Sequence, residues 1–248
     1  MKFYNLIHDE SQIERFIDLV FPDLQGHEAI YISLSARNKY LDEEARKVYQ
    51  IGRSEMFNRQ VVRNPKRFLN KIKEMSIYPQ YSKKGETFPI EPNLMTVYVN
   101  INPVDLTQAF HNASQIFYDR LLNKDIHIDS YSLFKTEIQK TRSRRNFVDL
   151  DLDIPFIPED EQYRFIQFIR ENLSRIAKVI TLKTKSGAHF MLSDIKGDYT
   201  KVIDDVGWEF SYERKAYKLY EKYEFIHNKN AMVPVPGCFQ GDYKVCLI

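Results

Sequence analysis

The chain has 248 residues, a net charge of +2 and 28% charged residues. That is enough length for one large domain or two small ones with an adequate core, and the hydrophobic content excludes an intrinsically disordered chain. Two cysteines, Cys238 and Cys246, and no histidine or cysteine pair at zinc-ligand spacing argue against a zinc centre. No apolar run near the start has the length of a signal peptide or membrane span, so the expectation is a cytoplasmic protein with free thiols and no membrane partner.

In chain order, residues 2 to 7 suit a short strand. Ser11-Gln12-Ile13-Glu14 has the form of a capping box opening a helix whose Ile13, Phe16, Ile17 and Val20 share a face. Residues 29 to 35 alternate Ile30, Ile32 and Leu34 with Tyr31, Ser33 and Ser35, the period of a strand, and a helix is expected over 42 to 50. Asn64-Pro65 opens a further helix to about Met75, with Phe68, Leu69, Ile72 and Met75 inward. Residues 77 to 93, broken by Pro79, Gly85, Pro89 and Pro92, read as a long loop. A strand over 94 to 101, a helix capped by Asp105 and running to about Leu122, and a shorter helix from Tyr131 to Lys140 follow.

Phe147-Val148-Asp149-Leu150-Asp151-Leu152-Asp153-Ile154-Pro155 is the most informative stretch. Strand side chains alternate between faces, so Asp149, Asp151 and Asp153 share one face and Val148, Leu150, Leu152 and Ile154 the other. Like charges at a repeat of about 7 Å repel, which a divalent cation such as Mg²⁺ or Mn²⁺ would relieve; the alternative is a plainly solvated acidic face. After it come a helix opened by Pro158-Glu159-Asp160-Glu161, a strand over 178 to 184, a turn at Ser186-Gly187 and a returning strand over 188 to 192 that carries His189. Residues 193 to 223 read as helical with a break at Gly207-Trp208, and residues 231 to 245 as two short strands about a glycine turn. The sum is an α+β chain with a soft boundary between residues 123 and 145, dividing it into modules 1–123 and 124–248 unless the two form one compact domain. Basic clusters at Lys66, Arg67, Lys71 and Lys73 and at Lys140, Arg142, Arg144 and Arg145 are either phosphate contacts or solvated helix faces.

Hydrophobic-Asp-hydrophobic-Asp on a strand, then a helix and a hairpin with Ser-x-x-His or a close variant, resembles the archaeo-eukaryotic primase superfamily, the prim-pol nucleotidyltransferases. Val148-Asp149-Leu150-Asp151 is similar to the first motif and Ser186-Gly187-Ala188-His189 to the second, while Pro234 to Gly241 is similar to a turn of small phage members. The resemblance covers roughly residues 145 to 245. It implies an RRM-like catalytic sheet with helices packed on it beside an N-terminal α/β module, and a two-metal transfer of nucleotides to DNA or RNA. It implies Asp149, Asp151 and His189 as catalytic residues, Asp149 and Asp151 as ligands of Mg²⁺ or Mn²⁺, and nucleoside triphosphate held by His189, Ser186, Lys185, Arg144 and Arg145. For a third metal-binding acid, Asp204, Asp194 and Asp242 compete, with Asp204 preferred. Two other readings stand beside this one: a catalytically silent protein that binds nucleic acid or a protein partner, and a glycosyltransferase of the Asp-x-Asp type.

Overall fold

A computed structural model describes residues 5–38, 41, 43–44, 47, 54–77, 80–83, 86–89, 94–124, 127–154, 158–205, 224–228 and 232–248. Its first sheet is built on strand β1 (Glu28–Arg37), which pairs antiparallel with β2 (Ser54–Val62) on one side and β5 (Met95–Asn100) on the other. Alternation along β1 sends Ile30, Ile32, Leu34 and Ala36 into a core shared with helices α1 (Glu10–Val20) and α2 (Phe68–Met75). The opposite face puts Ala29 and Tyr31 against helices α3 (Leu106–Leu122) and α4 (Ser130–Lys140). The short β6 (Val104–Asp105) pairs antiparallel with the start of β1.

The second sheet has the order β10-β7-β9-β8-β14, with β7 at Val148–Asp153, β8 at Lys178–Lys183, β9 at Gly187–Ser193, β10 at Glu224–Asn228 and β14 at Cys246–Leu247. Both β7 and β8 run antiparallel to β9, so they are parallel to each other and helix α5 (Glu159–Leu173) is their crossover. Val148, Leu150 and Leu152 of β7 pack with Phe190 and Leu192 of β9 on α5 through Phe165, Ile166, Ile169 and Leu173. Residues 199–205, between β9 and β10, are also helical and add Val202 and Ile203 to that core. The other face of the sheet bears the acids. Its neutral members, Ile180, Leu182 and Met191, are buried in the core of the first sheet.

The described residues are thus α+β, with two large antiparallel sheets and a separate two-stranded one. The terminal strands β11 (Met232–Pro234) and β12 (Phe239–Gln240) pair with β5, and β13 (Tyr243–Lys244) pairs with β12, so residues after 124 also build the first sheet. Among the described residues no helix is long and apolar enough to cross a membrane.

Several elements differ from the sequence reading, each for a local reason. The cap of α1 is Asp9, whose carboxylate accepts from the N–H groups of Ser11 and Gln12, not Ser11. Strand β2 escapes notice because it is the edge strand of its sheet and mixes Asn58, Arg59 and Gln60 with its apolar residues, so it has no clean two-residue period. Within the expected loop over 77 to 93, β3 (Gln80–Lys83) and β4 (Glu86–Pro89) pair as a hairpin. Of the helix expected over 42 to 50 and the helical stretch to 223, residues 42, 45–46, 48–50 and 206–223 lie outside the described residues.

Candidate active site

The geometry of the acidic face follows from the register of β7 on β9. Asp149 is opposite Met191, Asp151 opposite His189 and Asp153 opposite Gly187. Directly opposed side chains share a face, so His189 is delivered among the three carboxylates. Its Nδ1 lies 3.0 Å from Oδ1 and 3.2 Å from Oδ2 of Asp149, and its Nε2 lies 3.5 Å from Oδ1 of Asp151. Asp149 has no exposed surface, His189 is 6% exposed and the Asp151 side chain 27% exposed, so the cluster deepens from Asp151 inward to Asp149.

Burial works against a charged imidazole, but the charge and hydrogen bond of Asp149, reinforced by Asp151 and Asp153, outweigh it and carry the His189 pKa up from 6.5 to about 9. At neutral pH His189 is therefore an imidazolium that donates from Nδ1 to Asp149. The carboxylates of this face therefore do not stand together without a compensating positive charge. Much of the repulsion is already balanced by the histidine.

Ser186 closes the outer end of the face. Its Oγ donates to Oδ1 of Asp153 at 2.7 Å, and its carbonyl accepts from the N–H of Ile154 at 2.7 Å. Next to it, the strands approach so closely that a Cβ on Gly187 would fall 1.8 Å from the carbonyl oxygen of Leu152. Gly187 is thus required for close strand approach, not only for a turn. We expect Gly187→Ala to force β7 and β9 apart at Asp153 and to cost about 3 kcal/mol or more, measured by chemical denaturation.

The site is tied to the first sheet at both ends by residues the sequence did not single out. Asn102, just past β5, accepts from the N–H groups of Asn146 and Phe147 at 2.7 and 2.8 Å and donates to the Phe147 carbonyl, fixing the entry into β7. Gln240 of β12 accepts from the N–H of Lys185, holding the β8–β9 turn. An Asn-Pro pair ending a strand was the one visible hint of the first; nothing local marks the second.

The other expected site residues are dispersed. The Lys185 ammonium is bonded to Asp242, so that acid serves the turn. Arg144 is drawn to Glu28, a carboxylate with no exposed surface, at 3.1 Å from Nε, and it also donates to the Asp23 carbonyl. Its role in this structure is to neutralise a buried charge. Arg144→Ala is expected to lower stability by about 3 kcal/mol in a urea titration while leaving triphosphate affinity unchanged, because the unpaired Glu28 stays buried. Arg145 is exposed. Asp204 is exposed on the helix whose Val202 and Ile203 pack on the opposite face of the sheet, and Asp194 sits exposed in a left-handed turn after β9 with φ 51°. Neither joins the acidic cluster. In the basic clusters, Lys71 and Lys73 pair with Glu74 and Glu10, and Lys140 with Glu137, while Lys66, Arg67 and Arg142 are exposed.

Among the described residues, no three of His, Cys, Asp and Glu close on one point as a ready ion cage. The donor set is nonetheless that of a hard cation: Mg²⁺ is commonly bound by one or two carboxylates, with substrate phosphate and water completing its shell. Asp149 and Asp151 offer carboxylate oxygens on one strand face, both already drawn to the two nitrogens of one imidazole. No protein-family model, curated protein or solved structure matches the chain.

Proposed function

We propose that the protein is a metal-dependent nucleotidyltransferase resembling the primase-polymerases, using nucleoside triphosphates to extend a DNA or RNA end. The observation that carries this reading is His189 on β9, standing between Asp149 and Asp151 of the neighbouring β7. The surrounding topology supports it. Strand, helix, strand, strand, helix, strand, in the sheet order β10-β7-β9-β8, with the helices on one face and the acids on the other, is the order that an RRM-like reading of this sheet asks for.

In this reading Asp149 and Asp151 hold Mg²⁺ or Mn²⁺, which when bound neutralises triphosphate charge and favours the ionised form of an attacking hydroxyl. The chain's own groups do the rest. The buried base of the site, formed by Asp149 and by the neighbouring Met191 and Leu182, excludes water from one side. The His189 imidazolium, firmly bonded at Nδ1 but only loosely approached at Nε2, has its Nε2–H available to turn onto a phosphate oxygen. Ser186 holds Asp153 at the rim, and Lys185 follows the same β8–β9 turn, bonded to Asp242. The bond formed joins the 3′-oxygen to the α-phosphorus as the hydroxyl proton passes to solvent, the bond broken is that from the α-phosphorus to the bridging oxygen, and pyrophosphate leaves with the charge.

The test is extension of a labelled primer on a template, and of an unpaired strand, with ribo- or deoxyribonucleoside triphosphates and Mn²⁺. Lengthening of the label supports the reading; no lengthening together with no triphosphate binding contradicts it. A second reading, a nucleic-acid-binding protein without activity, draws on the same histidine, because its charge already balances Asp149 without an ion. Triphosphate binding without extension would favour it. The glycosyltransferase reading gains nothing here, since every strand pairing among the described residues is antiparallel rather than of the parallel nucleotide-binding kind.

A further inference from the structure

Helix α3 is packed against its own chain by its small residues and turns its large ones outward. Its buried residues are Ala109 and Ala113, whereas Phe110, Tyr118, Leu121 and Leu122 are 66, 62, 47 and 66% exposed. Tyr131 of α4 is also 66% exposed, so five of the nine exposed large hydrophobics among the described residues gather on this one helical hairpin. Scattered surface hydrophobics are ordinary; a contiguous patch of them marks an interaction surface. Along α3, Phe110, Ser114, Phe117 and Leu121 recur at four, three and four residues on the side that faces α4, where Phe110 meets Phe134 edge to face. Between α3 and α4 runs a groove of about 510 Å³ with Phe117, Leu133 and Phe134 in its wall.

From this patch we infer that the protein associates with a second copy of itself, the α3–α4 hairpins of two chains packing into a four-helix layer. Three observations select that occupant. Isologous pairing requires projections and a recess on the same surface, and here exposed Phe110, Tyr118 and Tyr131 border the groove that a partner's ring would fill. The charges interleaved with the patch nearly cancel, with Arg120, Lys124 and Lys135 against Asp119 and Asp129, so two identical faces meet without a like-charge clash. A strongly charged partner would find no complement there. Helix α3 is about 26 Å long and α4, with 11 residues, about 17 Å, so over a width of about 20 Å two faces together cover about 850 Å², the size of a weak, transient contact. The association is therefore a concentration-dependent one.

The experiment is sedimentation velocity of the full chain from about 1 to about 100 µM, with the double variant Phe110→Glu/Leu121→Glu alongside. The expected result is a mass that climbs from 29.6 kDa towards twice that value, and a self-affinity at least about 100-fold weaker in the variant, since it buries charge in an apolar seam. Circular dichroism melts report whether the variant keeps its fold. Tyr118→Lys/Tyr131→Lys, at two rings more than half exposed, gives the same reading if it does not. A wild-type mass fixed at one chain up to the highest concentration overturns the inference and leaves the groove to a helix of another protein. A dimer of unchanged strength in both double variants also overturns it, by placing the contact elsewhere.

Discussion

Replacing Asp149 and Asp151 together by asparagine is expected to abolish nucleotide transfer, by a factor of about 1,000 or more, because it removes both carboxylates that the proposed reaction uses to organise its ion. It is also expected to lower stability. The His189 imidazolium is buried, and Asp149 supplies its 3.0 Å hydrogen bond; taking away one partner of a buried pair costs about 3–5 kcal/mol because the other charge is left without compensation. The two effects separate the roles. A variant that loses stability but keeps transfer would make the cluster structural, and transfer is read at a temperature where denaturation curves show the variant folded.

A pH series reports His189 directly. Its pKa is raised in the folded protein to about 9 from an unfolded value near 6.5, so the folded state holds the extra proton between these values. The resulting stabilisation is fully present below about pH 6.5 and is lost as pH rises through about 9, for a total of about 3 kcal/mol. Unfolding free energy from urea titrations should fall across that window in the wild type. In His189→Gln the same window should show a smaller fall. Equal falls in both proteins would mean that the imidazole is not charged in its carboxylate setting.

What could be read from the sequence was what is written in local periods. The two-residue alternation from Val148 to Asp153 gave the strand and its acidic face, and the strand–helix–hairpin order was enough to bring His189 beside Asp151. Asp105 as a cap and Asn64 ahead of Pro65 were likewise legible, since caps act over two or three residues. Distant pairing was not. Arg144 stands in a basic run that suggests phosphate, yet its partner, Glu28, is 116 residues away and carries no mark of burial in the sequence. Asp204 follows a hydrophobic residue, Ile203, as Asp149 and Asp151 follow theirs, but the helix bearing it packs on the face of the sheet opposite the acids. The return of β11, β12 and β13 to the first sheet is a matter of tertiary topology, and short strands of two or three residues have too little pattern to announce it. The same return brings Gln240 to the β8–β9 turn, which is why the anchoring of Lys185 had no local signature.

The most direct test of the central claim is the affinity for Mn²⁺, followed by the electron paramagnetic resonance of the free ion, in the wild type and in the Asp149→Asn/Asp151→Asn variant under conditions where both are folded. Binding by the wild type should be strengthened by a non-hydrolysable nucleoside triphosphate and be at least about 100-fold weaker in the variant, since oxygen donors on one strand face are what the ion would lose. Equal Mn²⁺ affinity in the two proteins would contradict the claim.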